Sequence, residues 1–335
     1  MIRVAVIGYG YWGPKLVRNF SGLAEAGVAA VCDQRPELLA QVRRYYPAVA
    51  VTSEPEDLFR DPKIHAIAIA TPVSSHFDLA RRALRAGKHV WVEKPMAATT
   101  EEASLLVEEV ARAQKTLVVD HTFIYTGAVR KIRELLAKNA IGELFYYDSV
   151  RSNLGLFQGD VNVLWDLAVH DVAIIDALFP QKPVAVSATG ISHVPNQPEN
   201  MAYLTLFFPG RQIAHVHVNW LSPVKLRRTL IGGSEKMILW DDADVSEKVK
   251  VYDKGIMVSD SEENLLQKRI GYRTGDMWAP QIERTEALST LAQHFIDCIQ
   301  SGQQPESDVH SGRRVVRILE AASKSMTERG RHIEL

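Results

Sequence analysis

The sequence predicts an α/β chain in two domains: an N-terminal doubly wound parallel sheet, then a strand-rich α+β domain. Three observations carry that expectation. Short β-branched runs alternate with helix-length amphipathic segments through the first third, and a G-x-G-x-x-G turn separates the first such pair. From about residue 143 the chain turns strand-rich. At 335 residues the chain is too long for one compact core, and the alternating pattern ends near residue 120, which divides it into domains 1–120 and 121–335.

The first strand, "IRVAVIG" (2–8), ends in glycine, and "WGPKLVRNFSGLAEAG" (12–27) follows with helical periodicity. Pro14 is tolerated there because the first helical turn needs no N–H donor. Next come the strand "VAAVCD" (28–33), the helix "PELLAQVRRYY" (36–46), the strand "AIAIAT" (66–71) and the helix "HFDLARRALRAG" (76–87). The strand "HVWVEK" (89–94), a long helix over 101–115 and the strand "TLVVD" (116–120) complete the alternation. In such a sheet ligands bind outside the carboxyl ends of the strands.

Those ends hold the informative residues. In "GYGYWG", Gly8 allows a tight turn, Gly10 lets a pyrophosphate approach the backbone, and Gly13 lets helix and strand pack closely. The helix N-terminus behind them offers N–H groups and a positive dipole end to phosphates. Asp33 follows Gly13 by 20 residues and is placed to take both ribose hydroxyls of a dinucleotide, favouring NAD over NADP, while Arg35 is placed to neutralise part of its repulsion of a 2′-phosphate. Tyr11 and Trp12 in the same turn, Thr71 and Pro72 in "ATP", His76, and Glu93 and Lys94 in "EKP" complete the expected cofactor-binding set. Ser75 or His76 is placed to cap the helix that follows. A lysine at this edge would steady a developing alkoxide.

The second domain reads as strands at 143–150, 183–190, 201–208, 212–220, 227–233, 236–240 and 248–253, a polar loop at 259–267, and two closing helices at about 283–300 and 311–328. Within it "VLWDLAVHDVAIIDALF" (163–179) reads as one helix, with Val163, Leu167, Ile174 and Leu178 forming an apolar stripe. His170 falls inside that stripe and Asp166 lies one turn before it. An acid–imidazole pair there is either a satisfied core histidine or a catalytic group. In "QIAHVHVNW", Ala214, Val216, Val218 and Trp220 line one strand face and His215, His217 and Asn219 the other. A sheet face of that mixed character is better explained by a second subunit than by a metal. Arg151, Asn153 and Arg273 are candidate substrate contacts, an arginine suiting a diphosphate.

Bulk composition excludes several classes. Lys+Arg (39) and Asp+Glu (40) nearly cancel, so no global field points to nucleic acid or an anionic membrane. Two isolated cysteines form no metal-spaced pattern, no apolar run approaches transmembrane length, and the chain opens on a strand, so a cytoplasmic protein is expected.

Taken in order, "GYGYWG", "ATPVSSH", "VEKP" and "WDLAVHD" resemble the glucose–fructose oxidoreductase / inositol dehydrogenase (Gfo/Idh/MocA) family across essentially the whole chain. That resemblance implies an NAD(P)-binding Rossmann domain and an α+β domain with a large, mostly antiparallel open sheet that mediates a homodimer or homotetramer. It makes Lys94 the family's EKP lysine and Asp166 and His170 its D-x-x-x-H pair, facing the nicotinamide. Two features depart from the family: "HTFIYTGAVRK" (121–131) has no Arg before Arg130, and "GDVNVLWD" (159–166) replaces a glycine-rich stretch. The run "DSVRSNLGLFQGDVNVLWDLAVHD" most resembles UDP-N-acetylglucosamine-type 3-dehydrogenases. The implied reaction is oxidation of a sugar hydroxyl at C3, with an aminotransferase as a natural consumer of the keto product. Rival expectations are a free sugar or inositol dehydrogenase, a redox-assisted glycosidase, and a sugar-sensing regulator.

Overall fold

The computed structural model describes residues 1–155, 161–258 and 270–335, so the expected loop at 259–267 lies outside the described residues. The chain forms two compact units, Met1–Tyr125 with Thr285–Glu320, and Thr126–Arg284 with Ala321–Leu335. The boundary expected at residue 120 therefore moves by a few residues, and the last third is not one block.

In the first unit the order is β1 (Ile2–Ile7), α1 (Gly13–Ser21), β2 (Ala26–Cys32), α2 (Pro36–Tyr45), β3 (Ala50–Thr52), α3 (Pro55–Arg60), β4 (Ala66–Ile69), α4 (His76–Arg85), β5 (His89–Glu93), α5 (Thr100–Ala113) and β6 (Leu117–Asp120). The strands form one parallel sheet in the order β3-β2-β1-β4-β5-β6, the doubly wound arrangement whose crevice lies at the strands' carboxyl ends. The short β3 and α3 are additions to the sequence reading. Val4–Ile7 of β1, Ala66–Ile69 of β4 and Val90–Val92 of β5 are continuous apolar runs buried on both faces. Helix α1 ends at Ser21, earlier than its periodicity suggests, because Gly22 follows it as the C-cap. Thr99 caps α5 by accepting from the Glu102 N–H, and Gln114 closes it in the left-handed region.

The second unit supplies α6 (Gly127–Ala137), β7 (Leu144–Leu154), a π-helical turn (Leu164–Ala168), α7 (Val169–Leu178), β8 (Ala185–Ile191), β9 (Met201–Phe207), β10 (Ile213–Asn219), β11 (Leu221–Gly233), β12 (Met237–Asp241), β13 (Val249–Tyr252), β14 (Gly255–Val258), β15 (Ile270–Arg273) and β16 (Met277–Trp278). The chain closes with α8 (Ala287–Ser301), α9 (Val309–Thr327) and β17 (Ile333–Glu334). Nine strands make the second sheet, β16-β13-β12-β11-β7-β10-β9-β8-β17, antiparallel throughout except for β10 beside β7. Ala214, Val216 and Val218 are fully buried on one face of β10. On the other, Tyr203 stacks on His217 with ring centroids 4.5 Å apart, and His215 lies alongside.

Helix α8 belongs to the first unit because of what its apolar face meets. Phe295 packs against Phe20 of α1 and Trp91 of β5, all three rings edge-on to one another and fully buried. Cys32 and Cys298 are both buried and unbridged.

Candidate active site

The loop after β1 is shaped by close backbone approaches. A Cβ at Gly8, whose φ is +93°, would stand 2.4 Å from the Ala70 carbonyl oxygen, and one at Gly13 would stand 2.2 Å from the Gly8 carbonyl oxygen. Neither position admits a side chain. Gly10 differs: the nearest atom to its Cβ position is a guanidinium nitrogen of Arg35 at 3.5 Å, so this face of the loop is open to a ligand's backbone approach. Tyr11 and Trp12 are exposed on the same loop, edge to face at 5.3 Å, and the Lys15 ammonium lies 3.6 and 3.9 Å from their ring centroids. With helix α1 starting at Gly13, this set fits a dinucleotide: N–H donors and a nearby cation for phosphate, and no side chain at Gly10 to block it.

Asp33, just past β2, anchors the loop. Its Oδ2 accepts from the Tyr9 N–H at 2.7 Å and from an Arg35 guanidinium nitrogen at 3.0 Å, and its Oδ1 accepts from the Arg35 N–H and Nε, each at 2.9 Å. Burial alone would raise this carboxyl, but the bonds from Arg35 and Tyr9 hold it below the usual carboxylate range.

Where β4 and β5 end, the structure corrects two expected cofactor contacts. His76 is almost fully enclosed, with Nε2 2.8 Å from the Thr71 carbonyl and Nδ1 2.8 Å from the Pro95 carbonyl. It clasps the two strand-ending turns together and has no face left for a ligand. Two carbonyl partners suit an imidazolium, yet burial and then the neighbouring Lys94 charge push its pKa down, so the clasp works against itself. Ser75 does not cap α4 either; its hydroxyl turns back to Thr71 Oγ1 at 2.7 Å and the Pro72 carbonyl at 2.8 Å.

Glu93 is likewise interior, paired in register with Asp120 at the end of β6. Burial and then the Asp120 charge push Glu93 well above the usual carboxylate range; burial also raises Asp120, against a bond from the Thr122 hydroxyl. Two adjoining buried carboxyls disfavour each other's ionisation, while the neighbouring Lys94 charge favours it. Thr71, Pro72 and Lys94 follow at this same carboxyl edge of the sheet, and the Lys94–Pro95 peptide is cis.

In the second unit the expected single helix is two. Leu164–Ala168 is a π turn, with the Asn162 side-chain oxygen accepting from the Leu164 N–H at 3.1 Å and the Trp165 N–H at 3.4 Å. The apolar stripe of Val163, Leu167, Ile174 and Leu178 is buried as expected, but so is nearly every other side of α7. Against that background Asp166 and His170 stand out as only half-buried. Widened turns of this kind recur at functional sites. The Trp220 indole donates from Nε1 to Asp166 Oδ2 at 3.0 Å, and a Cβ at Gly155 would stand 2.4 Å from that indole.

Of the expected substrate contacts Arg151 is enclosed, while Arg273 and Asn153 are partly exposed and bonded within the chain. Arg151 is buried, its Nε donating to Asp171 Oδ2 at 2.8 Å while the Tyr147 hydroxyl donates to Asp171 Oδ1 at 3.0 Å. An arginine spent this way fastens α7 to β7. Arg273 is held by Asp253 and by the Glu235 carbonyl. Asn153 donates to the Leu154 carbonyl at 3.1 Å. Of the residues missed in the sequence, Trp220, Asp171, Asp120 and Lys15, the first three act through partners that no local spacing announces. Lys15 alone had a signal, its place in the first turn behind the aromatic pair. Among the described residues no group of three or more His, Cys, Asp or Glu is placed to hold a metal, and no helix is long and apolar enough to cross a membrane.

Comparison with known proteins matches two family models: "Oxidoreductase family, NAD-binding Rossmann fold" over residues 2–121, and "GFO/IDH/MocA C-terminal domain" over 129–239. The chain is 32% identical over 247 residues to the uncharacterized oxidoreductase YdgJ of Escherichia coli, covering 70% of this chain and 69% of that protein. It is 29% identical to the UDP-N-acetylglucosamine 3-dehydrogenase of Acidithiobacillus ferrooxidans, over 61% of this chain and 63% of that protein. It is 25% identical to the scyllo-inositol 2-dehydrogenase (NADP(+)) IolW of Bacillus subtilis, over 98% of this chain and 94% of that protein.

Proposed function

The chain belongs to the GFO/IDH/MocA family of NAD-binding oxidoreductases, and from that premise we propose that it oxidises a secondary hydroxyl, at C3, of a nucleotide-linked sugar such as UDP-N-acetylglucosamine or its uronate. The observation that carries a catalytic reading is the half-buried Asp166 and His170 on an otherwise buried helix. A core histidine would be enclosed with its neighbours; this one is only half-buried.

NAD, when bound, supplies the hydride acceptor. Gly10 and the α1 N-terminus would hold its pyrophosphate and Asp33 its ribose. His170 takes the hydroxyl proton, the role an imidazole can fill near neutral pH. Asp166, itself fixed by Trp220, orients the imidazole and favours its protonated form. Lys94 donates to the reacting oxygen and stabilises alkoxide character as the hydride leaves.

His170→Asn and Lys94→Ala are each expected to lower turnover by about 10²–10⁴-fold. Calorimetry should show NAD affinity intact in His170→Asn. Near-normal turnover in that variant would return His170 to a structural role.

The substrate rests on similarity to the Acidithiobacillus enzyme and on the run from 148 to 171. A free polyol is the second reading, favoured by the near full-length similarity to the inositol enzyme and by the commitment of Arg151 and Arg273 to carboxylates. The deciding assay follows NADH with UDP-N-acetylglucosamine, its uronate, free N-acetylglucosamine and myo-inositol, each coupled to an aminotransferase that consumes a 3-keto sugar. Binding energy from a remote diphosphate should make the nucleotide sugars far better substrates. Equal turnover of free sugars would replace this reading with the polyol one. Tyr203 of β9 and His215 and His217 of β10, on one face of the sheet, further support a homo-oligomer formed through it.

A further inference from the structure

Strands β5 and β6 end beside Lys94 and at Asp120, and they begin at a cavity on the opposite edge of the same sheet. Helix α5, the end of α8 and the start of α9 enclose it, all within the first unit. Its volume is about 460 Å³, within the size range of small-molecule sites. Val107, Val110, Leu117, Ile299 and Val309 give it an apolar wall. Two polar groups at that wall are donors. The Nδ1 of His89 accepts from the Thr116 N–H at 3.1 Å, which places the ring's own proton on Nε2. Burial and then the Lys115 charge push this imidazole down to about 4, so at neutral pH it is uncharged and keeps that arrangement. Lys115 itself lines the cavity, half-buried, and makes no ion pair among the described residues. The one carboxylate of the lining, Asp308, is engaged with the backbone: its Oδ1 accepts from the Ser311 N–H at 2.8 Å. The Gln114 amide likewise donates to the Ala111 carbonyl at 2.6 Å. A partly desolvated ammonium and an imidazole N–H thus stand together over apolar surface with no acceptor supplied by the lining side chains.

We propose that this cavity is a second ligand site, for a small carboxylate carried on a compact apolar body: the carboxylate bonds the Lys115 ammonium and the His89 Nε2–H, and the body lies against Val110, Leu117 and Ile299. Each part of the ligand answers a feature of the lining. A charge-assisted bond to Lys115 favours the anion over a neutral group of the same shape. The apolar wall favours a carbon body over a bare inorganic anion, which would leave that surface wet. The cavity lies at the other end of the strands from the glycine loop and Lys94, so its ligand is neither the dinucleotide nor the sugar.

The test is an NMR titration of the whole chain at neutral pH with 2-naphthoate, with its neutral isostere 2-naphthamide and with inorganic phosphate, each in the presence and absence of NAD. Naphthoate is expected to bind with a Kd of about 1 mM, the amide about tenfold more weakly and phosphate not measurably. Added NAD should change none of these. Lys115→Ala should bring naphthoate down to the level of the amide and leave the amide where it was. Ala111→Trp, at an exposed position of α5 that lines the cavity, should fill the space and abolish binding of both aromatic ligands, with an unchanged thermal midpoint showing that the variant folds. Absence of naphthoate binding overturns the site. Amide binding as tight as naphthoate, or a Lys115→Ala variant that binds both as before, overturns the carboxylate assignment. Displacement by NAD, or binding that survives in Ala111→Trp, puts the naphthoate elsewhere on the chain and overturns the cavity.

Discussion

The glycine loop after β1 and the π turn before α7 each bring polar chemistry to the end of an apolar element, and they do so by opposite means. The loop is fixed by what is missing. Gly8 and Gly13 bring backbone atoms so close that any side chain would collide with a carbonyl oxygen. The π turn and α7 are fixed by what is present, and from a distance: Trp220 on Asp166, Ser323 on the Trp165 indole at 2.9 Å, and Arg151 on Asp171. A loop held by its own backbone fails locally when changed, whereas a helix held by remote partners passes its failure to the sheet it rests on.

Asp171→Asn breaks that comparison hardest. It leaves Arg151 buried without its counter-charge, and removing one partner of such a pair costs about 3–5 kcal/mol. Urea denaturation should show the loss, and replacing Arg151 with Met in the same chain should recover part of it. An unchanged midpoint in Asp171→Asn would mean that α7 is held by its apolar surface alone.

Gly13→Ala should cost less, about 1–3 kcal/mol of overpacking, but abolish measurable NAD binding, because the Gly8 carbonyl must move out of the loop. Retained NAD affinity would show that the loop tolerates the shift. Trp220→Phe is smaller again. It removes one hydrogen bond to Asp166, worth about 1 kcal/mol, and should lower kcat several-fold while leaving the NAD dissociation constant alone.

The smallest effect is a pH dependence in the first unit. Burial, then the Lys115 charge, push His89 down to about 4, and its Nδ1 accepts from the Thr116 N–H, which requires an unprotonated nitrogen. Between about pH 6.5 and 4 the unfolded chain therefore binds the extra proton. The contribution is complete above pH 6.5 and is lost as pH falls toward 4, with a slope of at most about 1.4 kcal/mol per pH unit. Denaturation midpoints of wild type and His89→Gln should converge as pH falls through that window; parallel curves would remove His89 from the account.

What the sequence disclosed follows the same division. The succession of strands and helices in the first unit, the G-x-G-x-x-G turn and Asp33 were legible because backbone constraint and strand alternation are local. The alternation of β10 was legible for the same reason. The partners of Arg151 and Arg273 were not, since a charged side chain chooses among carboxylates brought near by the whole sheet, and Asp171 is 20 residues from Arg151. His76 and Glu93 sat in the right motifs, yet no pattern separates a side chain that faces a ligand from one that braces the turn beneath it. The π turn was hidden because its apolar spacing satisfies an ordinary helix almost as well.

The two buried cysteines give the chain one more property. Burial pushes Cys32 up to about 12 and Cys298 up to about 11, so at neutral pH neither carries an appreciable thiolate. Alkylating reagents act on the thiolate, so both thiols react poorly in the native chain. A single cysteine placed at Tyr11, 73% exposed on the cofactor loop, would then be the one reactive thiol, and a fluorophore attached there would report that loop alone.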